Sequence, residues 1–414
     1  MGIDIVLLFF YFSFALINTG DAFCLSHSRS TTPSSQMEMG RKSRSSDGVI
    51  ARSTKNPSSD ESFEETQPSR SRRKKVKQKT FTRFVEIESW RSPEMQEMAP
   101  LLLGLGNGCK LISDLIKRSS SDGNLGLFGE MNIQGEDQKK LDVVSNTILK
   151  TMLCSTGILF GVASEEEDYV QACEDVCDNL AFSEGQFGVV FDPLDGSSNV
   201  DAGLPVGTIF GVYRKQSVDQ SGQEALMQRG RQTVAAGYCL YGAATILVIS
   251  TGNGVNGFTL DTKKGQFILT YPDMRIPQRG NTYYFNEANS LTWSPGIQSW
   301  IRTIKQGLGE TGEQYRQIYM GALVADLHQL MLAGGVFGYP ADARNPRGKL
   351  RLLYEGNPIS YLIEQAGGVS VVGSSSGPQR VLDIEPLELH QREPLIFGSR
   401  EDIYELYTHL EKED

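Results

Sequence analysis

Asp192-Pro193-Leu194-Asp195-Gly196-Ser197-Ser198-Asn199 follows the apolar run Val189-Val190-Phe191. The run reads as a buried strand. Asp192 therefore falls at the strand's C-terminal end, and Pro193, which has no N–H to give, stops the ladder there. Asp195 comes three residues after Asp192 on the same tight turn. Gly196-Ser197-Ser198 then offers backbone N–H groups where a helix starts. Two carboxylates beside such groups supply hard oxygen ligands for Mg²⁺ and an anion seat for phosphate, side by side. The bare pattern Asp-x-x-Asp-Gly is an ordinary turn with a capping residue. Eight residues behind a buried strand carry the metal-and-phosphate reading.

Working outward, Leu101 to Lys117 has apolar residues at helical spacing, and Lys140 to Lys150 predicts a second helix with Asp142 at its start. Ile158 to Ala163 predicts a strand that runs into Ser164-Glu165-Glu166-Glu167-Asp168. Clustered acids of this kind are costly near one site unless cations neutralise them. Gly207 to Tyr213, Val234 to Ser250 and Gly257 to Leu260 continue a strand-rich pattern with glycine turns. A Pro/Gly-bearing break spans Pro272 to Gly280. Beyond it, Lys349 to Tyr354 predicts a strand with Lys349 and Arg351 on one face, a cationic pair suited either to phosphate oxygens or to surface ion pairing. Glu355 follows, then a helix to Gln365.

The octapeptide resembles the metal-binding signature of the fructose-1,6-bisphosphatase family, within the inositol-monophosphatase-like sugar phosphatases. Gly348-Lys349-Leu350-Arg351-Leu352-Leu353-Tyr354-Glu355 resembles that family's second signature, and Ala235-Ala236-Gly237-Tyr238 and Leu382-Asp383-Ile384 fit as well. The similarity runs from about Phe81 to the C-terminus. It implies an α/β fold, a layered sandwich of helices and sheets in two adjoining domains, here 80–273 and 274–414. It implies hydrolysis of the 1-phosphate of fructose-1,6-bisphosphate by water activated at two or more Mg²⁺ ions.

Residue by residue, the resemblance implies Glu165, Glu166, Asp192, Asp195, Glu355 and the Leu194 carbonyl as metal ligands. Asp142 with Glu166 would activate the water. Gly196 and Ser197 would hold the reacting phosphate through their N–H groups. Asn286, Tyr319, Tyr339 and Lys349 would hold the distal phosphate, and Arg351 would reach the substrate near the metals. Asn132 and Glu136 fall on the family's mobile catalytic loop, whereas Glu167 and Asp168 read as solvated. Family members are commonly homotetramers. Ile318 stands where the family has an Arg that reaches a neighbouring subunit's site, which implies a weaker or rearranged distal seat. A related bisphosphatase acting on sedoheptulose or inositol phosphates, and a catalytically silent regulator on the same scaffold, are the alternatives. The intact acidic set argues against silence.

Composition limits the partners. The chain has 414 residues and a net charge of −10. Residues 1–79 are net +5 and the rest net −15. An acidic body excludes nucleic acid or an anionic membrane as its main partner and suits a collector of divalent cations. The four His show no zinc-ligand spacing.

The run Ile5 to Ile17 reads as a signal-peptide core with small residues Gly20 and Ala22 before a cut, giving a signal peptide over 1–22. Ser/Thr/Arg-rich sequence and the basic cluster Arg70 to Lys79 follow, giving a transit peptide and linker over 23–79. The arrangement resembles the bipartite presequence of algae with complex plastids, implying a mature protein in the plastid stroma without stable membrane association, with the secretory pathway as the alternative. Plastid enzymes of this family carry a Cys-bearing insertion after the strand matching Gly207–Tyr213. Arg214 to Val234 contains no Cys, so the familiar thioredoxin switch is expected to be absent. Cys173 and Cys177 are expected to be two unpaired thiols in a surface segment.

Overall fold

Strands that are apolar on both faces have to be covered twice, and that requirement sets the architecture. In the computed structural model, the structure describes residues 79–411 apart from 120, 123–125, 132–136, 178–184, 218 and 374–377. The presequence reading over 1–78 and the loop residues Asn132 and Glu136 lie outside the described residues.

Two helices open the body, α1 (Phe81–Ser89) and α2 (Pro93–Arg118). Each starts on a hydroxyl that accepts a first-turn N–H, Thr80 from Arg83 and Ser92 from Met95. A short antiparallel pair, β1 (Leu127–Met131) and β2 (Asp137–Lys139), leads into α3 (Lys140–Cys154). Then come β3 (Leu159–Ser164), β4 (Gln171–Ala172), the single turn α4 (Cys173–Val176) and β5 (Phe187–Asp195). A 3₁₀ turn (Ser197–Ala202) precedes β6 (Val206–Arg214) and α5 (Gly222–Leu226). The strands β7 (Ala235–Tyr241), β8 (Thr245–Ser250), β9 (Val255–Asp261) and β10 (Gln266–Met274) finish an eight-stranded sheet ordered β10-β9-β8-β7-β6-β5-β3-β4. Within it, β3 and β5 pair in parallel and the other neighbours are antiparallel.

The chain changes sheets after β10, at the Pro/Gly-bearing break. The remaining elements are β11 (Thr282–Tyr284), α6 (Pro295–Lys305), β12 (Arg316–Gln317), α7 (Leu323–Ala333) and β13 (Val336–Tyr339). They continue with β14 (Leu350–Arg351), a π-helical turn (Leu352–Gly356), α8 (Asn357–Gln365) and β15 (Val369–Val372). The last are β16 (Arg392–Glu393), β17 (Leu395–Gly398) and α9 (Arg400–Leu410). The second sheet is ordered β12-β11-β13-β17-β15, and β14 pairs with β16 apart from it.

The layering follows from which residues each sheet face buries. Phe191, Phe210, Val212, Leu247 and Phe258 pack with Met98, Leu101, Leu105 and Ile112 of α2 and Leu149 and Leu153 of α3. The opposite face, with Ile209, Tyr238 and Val248, packs on Val324 and Leu327 of α7 and Leu362 and Ile363 of α8, which also cover Phe337 and Phe397 of the second sheet. Tyr283, Val336 and Ile396 on the far face of that sheet meet Trp300 of α6 and Leu406 of α9. The order is helix, sheet, helix, sheet, helix. α2 is long and apolar enough to cross a membrane by length and composition, and its apolar stripe is spent on this core.

Three local expectations are corrected. The ladder does not stop at Pro193: β5 runs to Asp195, with a register shift between Asp192 and Asp195 where the missing donor is absorbed as a bulge. The strand expected over Lys349–Tyr354 is two residues long, because β14 gives way to the π turn that carries Glu355. Cys173 is not an unpaired surface thiol. It is 1% exposed and joined by a disulfide to Cys154 at the end of α3, while Cys177 lies outside the bond. The reason is positional: Cys173 opens α4 on its inner side, against the core that Cys154 faces.

Candidate active site

The parallel pair β3–β5 delivers its two C-terminal ends to one place, which puts the acidic run after β3 next to the turn after β5. Glu165 N–H donates to the Phe191 carbonyl at 3.1 Å, tying the two ends together. The π turn brings Glu355 to the same spot. Asp192, Asp195 and Glu355 each place a carboxylate oxygen within 4.8 Å of the others, and all three are buried. One pocket is lined by this cluster together with Asp142, Glu165, Glu166, Leu194, Gly196, Ser197, Tyr319, Tyr339, Lys349 and Arg351.

Each side chain is held by a local cause. Asp192 Oδ1 accepts Leu194 N–H at 2.9 Å, an Asx turn that folds the octapeptide back on itself. Asp195 Oδ2 accepts Val324 N–H at 2.7 Å, so the start of α7 fixes it. Gly196 has φ +73°, and a Cβ there would lie 2.4 Å from the Ala322 Cβ, which only glycine avoids. The first N–H groups of the 3₁₀ turn after Gly196 have no partner within the turn and suit an anion. Asp142 Oδ2 accepts Lys139 N–H at 3.0 Å at the start of α3. Arg351 pairs with Glu165 at 2.9 Å, and its backbone N–H donates to Glu355 Oε2.

Seven carboxylates and three cations line the pocket, so an excess of negative charge is buried in one place. Burial raises Asp195 to about 7, offset by the Val324 N–H and reinforced by Glu355. Burial likewise raises Glu355 to about 7, with Arg351 opposing and Glu165 adding. Asp192 is pushed well up by burial and then by Glu165, Asp195 and Glu355. Asp142 rises to about 7 through burial, opposed by Lys139 N–H and the nearby Ser197 hydroxyl. An all-oxygen donor set under mutual repulsion fits a hard divalent cation. Asp192, Asp195 and Glu355 would hold it, with Glu165 against Asp192. Bound there, such an ion polarises a phosphate oxygen and lowers the pKa of water.

A pH dependence follows. Because these folded-state pKa values are raised, the native protein holds protons that the unfolded chain has lost between about pH 4 and pH 7. Without metal, the contribution of Asp195 and Glu355 to stability is therefore greatest below about pH 4, falls as pH rises to about 7, and is flat above it. We expect melting of chelator-treated protein to show this decline and added Mg²⁺ to raise the melting temperature more at pH 8 than at pH 5. An equal Mg²⁺ effect at both would separate the ion from these carboxylates.

Tyr319 and Tyr339 line the same pocket with their hydroxyls 3.4 Å apart, and the Lys349 ammonium lies 5.2 Å from the Tyr339 ring centre. Asn286 does not line the pocket. Its Oδ1 caps the next 3₁₀ turn by accepting Ala288 N–H, although the side chain lies near Tyr319. Glu167, expected as solvated, is bound by Lys150, Asn146 and Gln171. His390 lies against the Glu167 carbonyl at 3.1 Å and is itself bonded to the Tyr354 hydroxyl. Lys139 and Asp326 line the pocket without having stood out in the sequence. Lone charged residues at helix starts have no local signal, since their partners lie 62 or more residues away or across a turn.

Such a fold, with this acid cluster beside an anion seat, is that of a phosphoric monoester hydrolase. The model for the fructose-1,6-bisphosphatase N-terminal domain matches residues 79–272, and that for the C-terminal domain matches 276–411. The chain belongs to the fructose-1,6-bisphosphatase family. A cytosolic fructose-1,6-bisphosphatase of Oryza coarctata is 43% identical over 329 residues, 79% of this chain and 92% of the relative. The cytosolic enzyme of Arabidopsis thaliana is 42% identical over 340 residues, 81% of this chain and 96% of its own. The crystal structure of Leishmania major fructose-1,6-bisphosphatase in holo form superposes with a TM-score of 0.73 at 37% identity, covering 80% of this chain and 98% of that one.

Proposed function

We propose that the protein hydrolyses the 1-phosphate of fructose-1,6-bisphosphate to fructose-6-phosphate in a Mg²⁺-dependent reaction of carbohydrate metabolism. One observation carries the reading: a single pocket is lined both by an acid cluster with an anion seat and by a tyrosine–lysine cluster. A sugar carrying two phosphates suits a pocket that offers both. Asp142 and Glu166 take the proton of the attacking water, Asp142 being raised towards neutrality and so able to exchange one. Gly196 and Ser197 N–H groups orient the reacting phosphate. Tyr319, Tyr339 and Lys349, with Asn286 nearby, hold the distal phosphate. Arg351, buried against Glu165 and Glu355, fixes the carboxylates and reaches towards the substrate.

Phosphate release from a panel of sugar bisphosphates, with and without Mg²⁺, tests this. Fructose-1,6-bisphosphate should be the best substrate and chelation should abolish turnover. Preference for a seven-carbon bisphosphate would shift the assignment to the related activity, and no turnover of any would leave a binding role.

We also propose a plastid location for the mature chain and a homotetrameric assembly, both from resemblance. The two plant relatives reported above are cytosolic enzymes, so a fluorescent fusion of residues 1–79 decides the first.

AMP inhibition should be weak. The family's Lys-Tyr pair ahead of this strand reads Gln186-Phe187 here. Arg214, the remaining matching cation, is drawn to Glu94 at 3.6 Å and Glu97 at 3.4 Å and lies over the Phe187 ring. An AMP phosphate would have to compete with those carboxylates. Half-maximal inhibition at micromolar AMP would contradict this.

A further inference from the structure

The short strap Tyr319-Met320-Gly321-Ala322 lines the pocket through Tyr319, Gly321 and Ala322. Its first residue supplies a hydroxyl to the distal cluster, and its last packs against Gly196 of the phosphate turn. The preceding Ile318 N–H is tied to the Tyr283 carbonyl at 3.1 Å, and Val324 N–H, two residues past the strap, holds Asp195. Gly321 has φ +77°, so the strap bends in its middle at a position that favours glycine.

The peptide groups flanking Met320 are clasped by two side chains. Asp326, 1% exposed and set in the first turn of α7, accepts Met320 N–H with both oxygens, at 3.1 and 3.2 Å. Asn199, at the end of the octapeptide, donates to the Met320 carbonyl at 2.9 Å and to the Pro205 carbonyl at 3.2 Å. One clasp comes from the metal turn's own segment and the other from the helix that fixes Asp195. These two residues, with the flanking Ile318 and Val324 bonds, therefore hold the strap relative to the acid cluster.

We propose that Asn199 and Asp326 are positioning residues that hold the strap and so fix the span between the reacting-phosphate seat and the distal seat. They act through Tyr319 and select a bisphosphate over a monophosphate. The inference rests on the assignment of the Tyr319 end to the distal phosphate. A merely structural role would lower stability and turnover of every phosphate ester alike. A span-setting role changes the ratio between esters that use both seats and esters that use one.

The test compares kcat/KM of the full chain for fructose-1,6-bisphosphate and for p-nitrophenyl phosphate, with Mg²⁺ present. In Asn199→Ala, the ratio of the two should fall by about tenfold, the size of one lost hydrogen bond, mainly through KM for the bisphosphate. Asp326→Ala should do the same, and Asp326→Asn, which keeps one acceptor oxygen, should recover part of it. If Asp326→Ala does not fold, Asn199→Ala decides, with circular dichroism to show that it is native. A parallel fall of both rates, or an unchanged ratio in folded Asn199→Ala, overturns the inference alone. A wild-type enzyme with no preference for the bisphosphate overturns the distal-seat reading and this inference with it.

Discussion

Asp195→Asn is expected to lose activity by about 10³-fold while the protein remains folded. Asp195 has two tasks that the substitution separates. One oxygen accepts Val324 N–H at 2.7 Å, and an Asn carbonyl can do the same. The other supplies negative charge to a cluster within 4.8 Å of Asp192 and Glu355, and an amide cannot. Removing one of three mutually repelling carboxylates relieves the metal-free fold, because burial and Glu355 already push Asp195 towards its neutral form. The variant's melting temperature without metal should equal or exceed that of the wild type. Its gain on adding Mg²⁺ should be largely lost. Phosphate release and thermal melting on one preparation give both readings. Turnover close to wild type would remove Asp195 from the site, and a collapse of the metal-free melting temperature would make its role structural.

The second large effect belongs to the Cys154–Cys173 disulfide. It closes a loop with a sequence separation of 19 residues, and the loop contains β3, the acidic run and β4. On the chain-entropy account, closing such a loop stabilises the fold by about 3 kcal/mol. Reduction should lower the urea midpoint by an amount equivalent to that, and Cys173→Ala should show no further change with reductant. Activity should stay near its oxidised value. The acidic run has ties of its own: Glu167 to Lys150, Asn146 and Gln171, Glu165 to Arg351, and the Glu167 carbonyl to His390. A several-fold rise in turnover on reduction would show instead that the disulfide strains this run and controls it. A midpoint indifferent to reductant, with no cross-link by mass, would mean that the two thiols are not bonded.

Much of the site was legible in the residues themselves. The octapeptide announces a strand end, a turn and an anion seat, because each feature depends on neighbours in sequence: an apolar run before it, a proline within it and glycine after it. The roles of Lys349, Arg351 and Glu355 came from the resemblance of the second signature, since strand spacing alone left the cationic pair open between phosphate binding and surface ion pairing. Helical periodicity located α2 and α3, and alternating strands and glycine turns located the large sheet.

What local pattern could not decide is who meets whom. Glu167 reads as one more solvated acid in a run of four, and the fold gives it Lys150, Asn146 and Gln171. Cys173 reads as a surface thiol four residues from another. Its partner, Cys154, is reached only because the end of α3 and the start of α4 pack into the same core. The strand expected over Lys349–Tyr354 ends at Arg351, and the π turn that replaces its second half carries Glu355 to Asp192 and Asp195. Asp326 stands in no motif and Asn199 only closes the octapeptide, and nothing local tells that both grip the Met320 peptide groups, 6 and 121 residues away. Sequence periodicity and turn chemistry are short-range quantities and determine the elements and the turn that binds. The raised carboxylate pKa values and the pocket's lining are properties of groups brought together through space, and only packing the two sheets about α7 and α8 decides them.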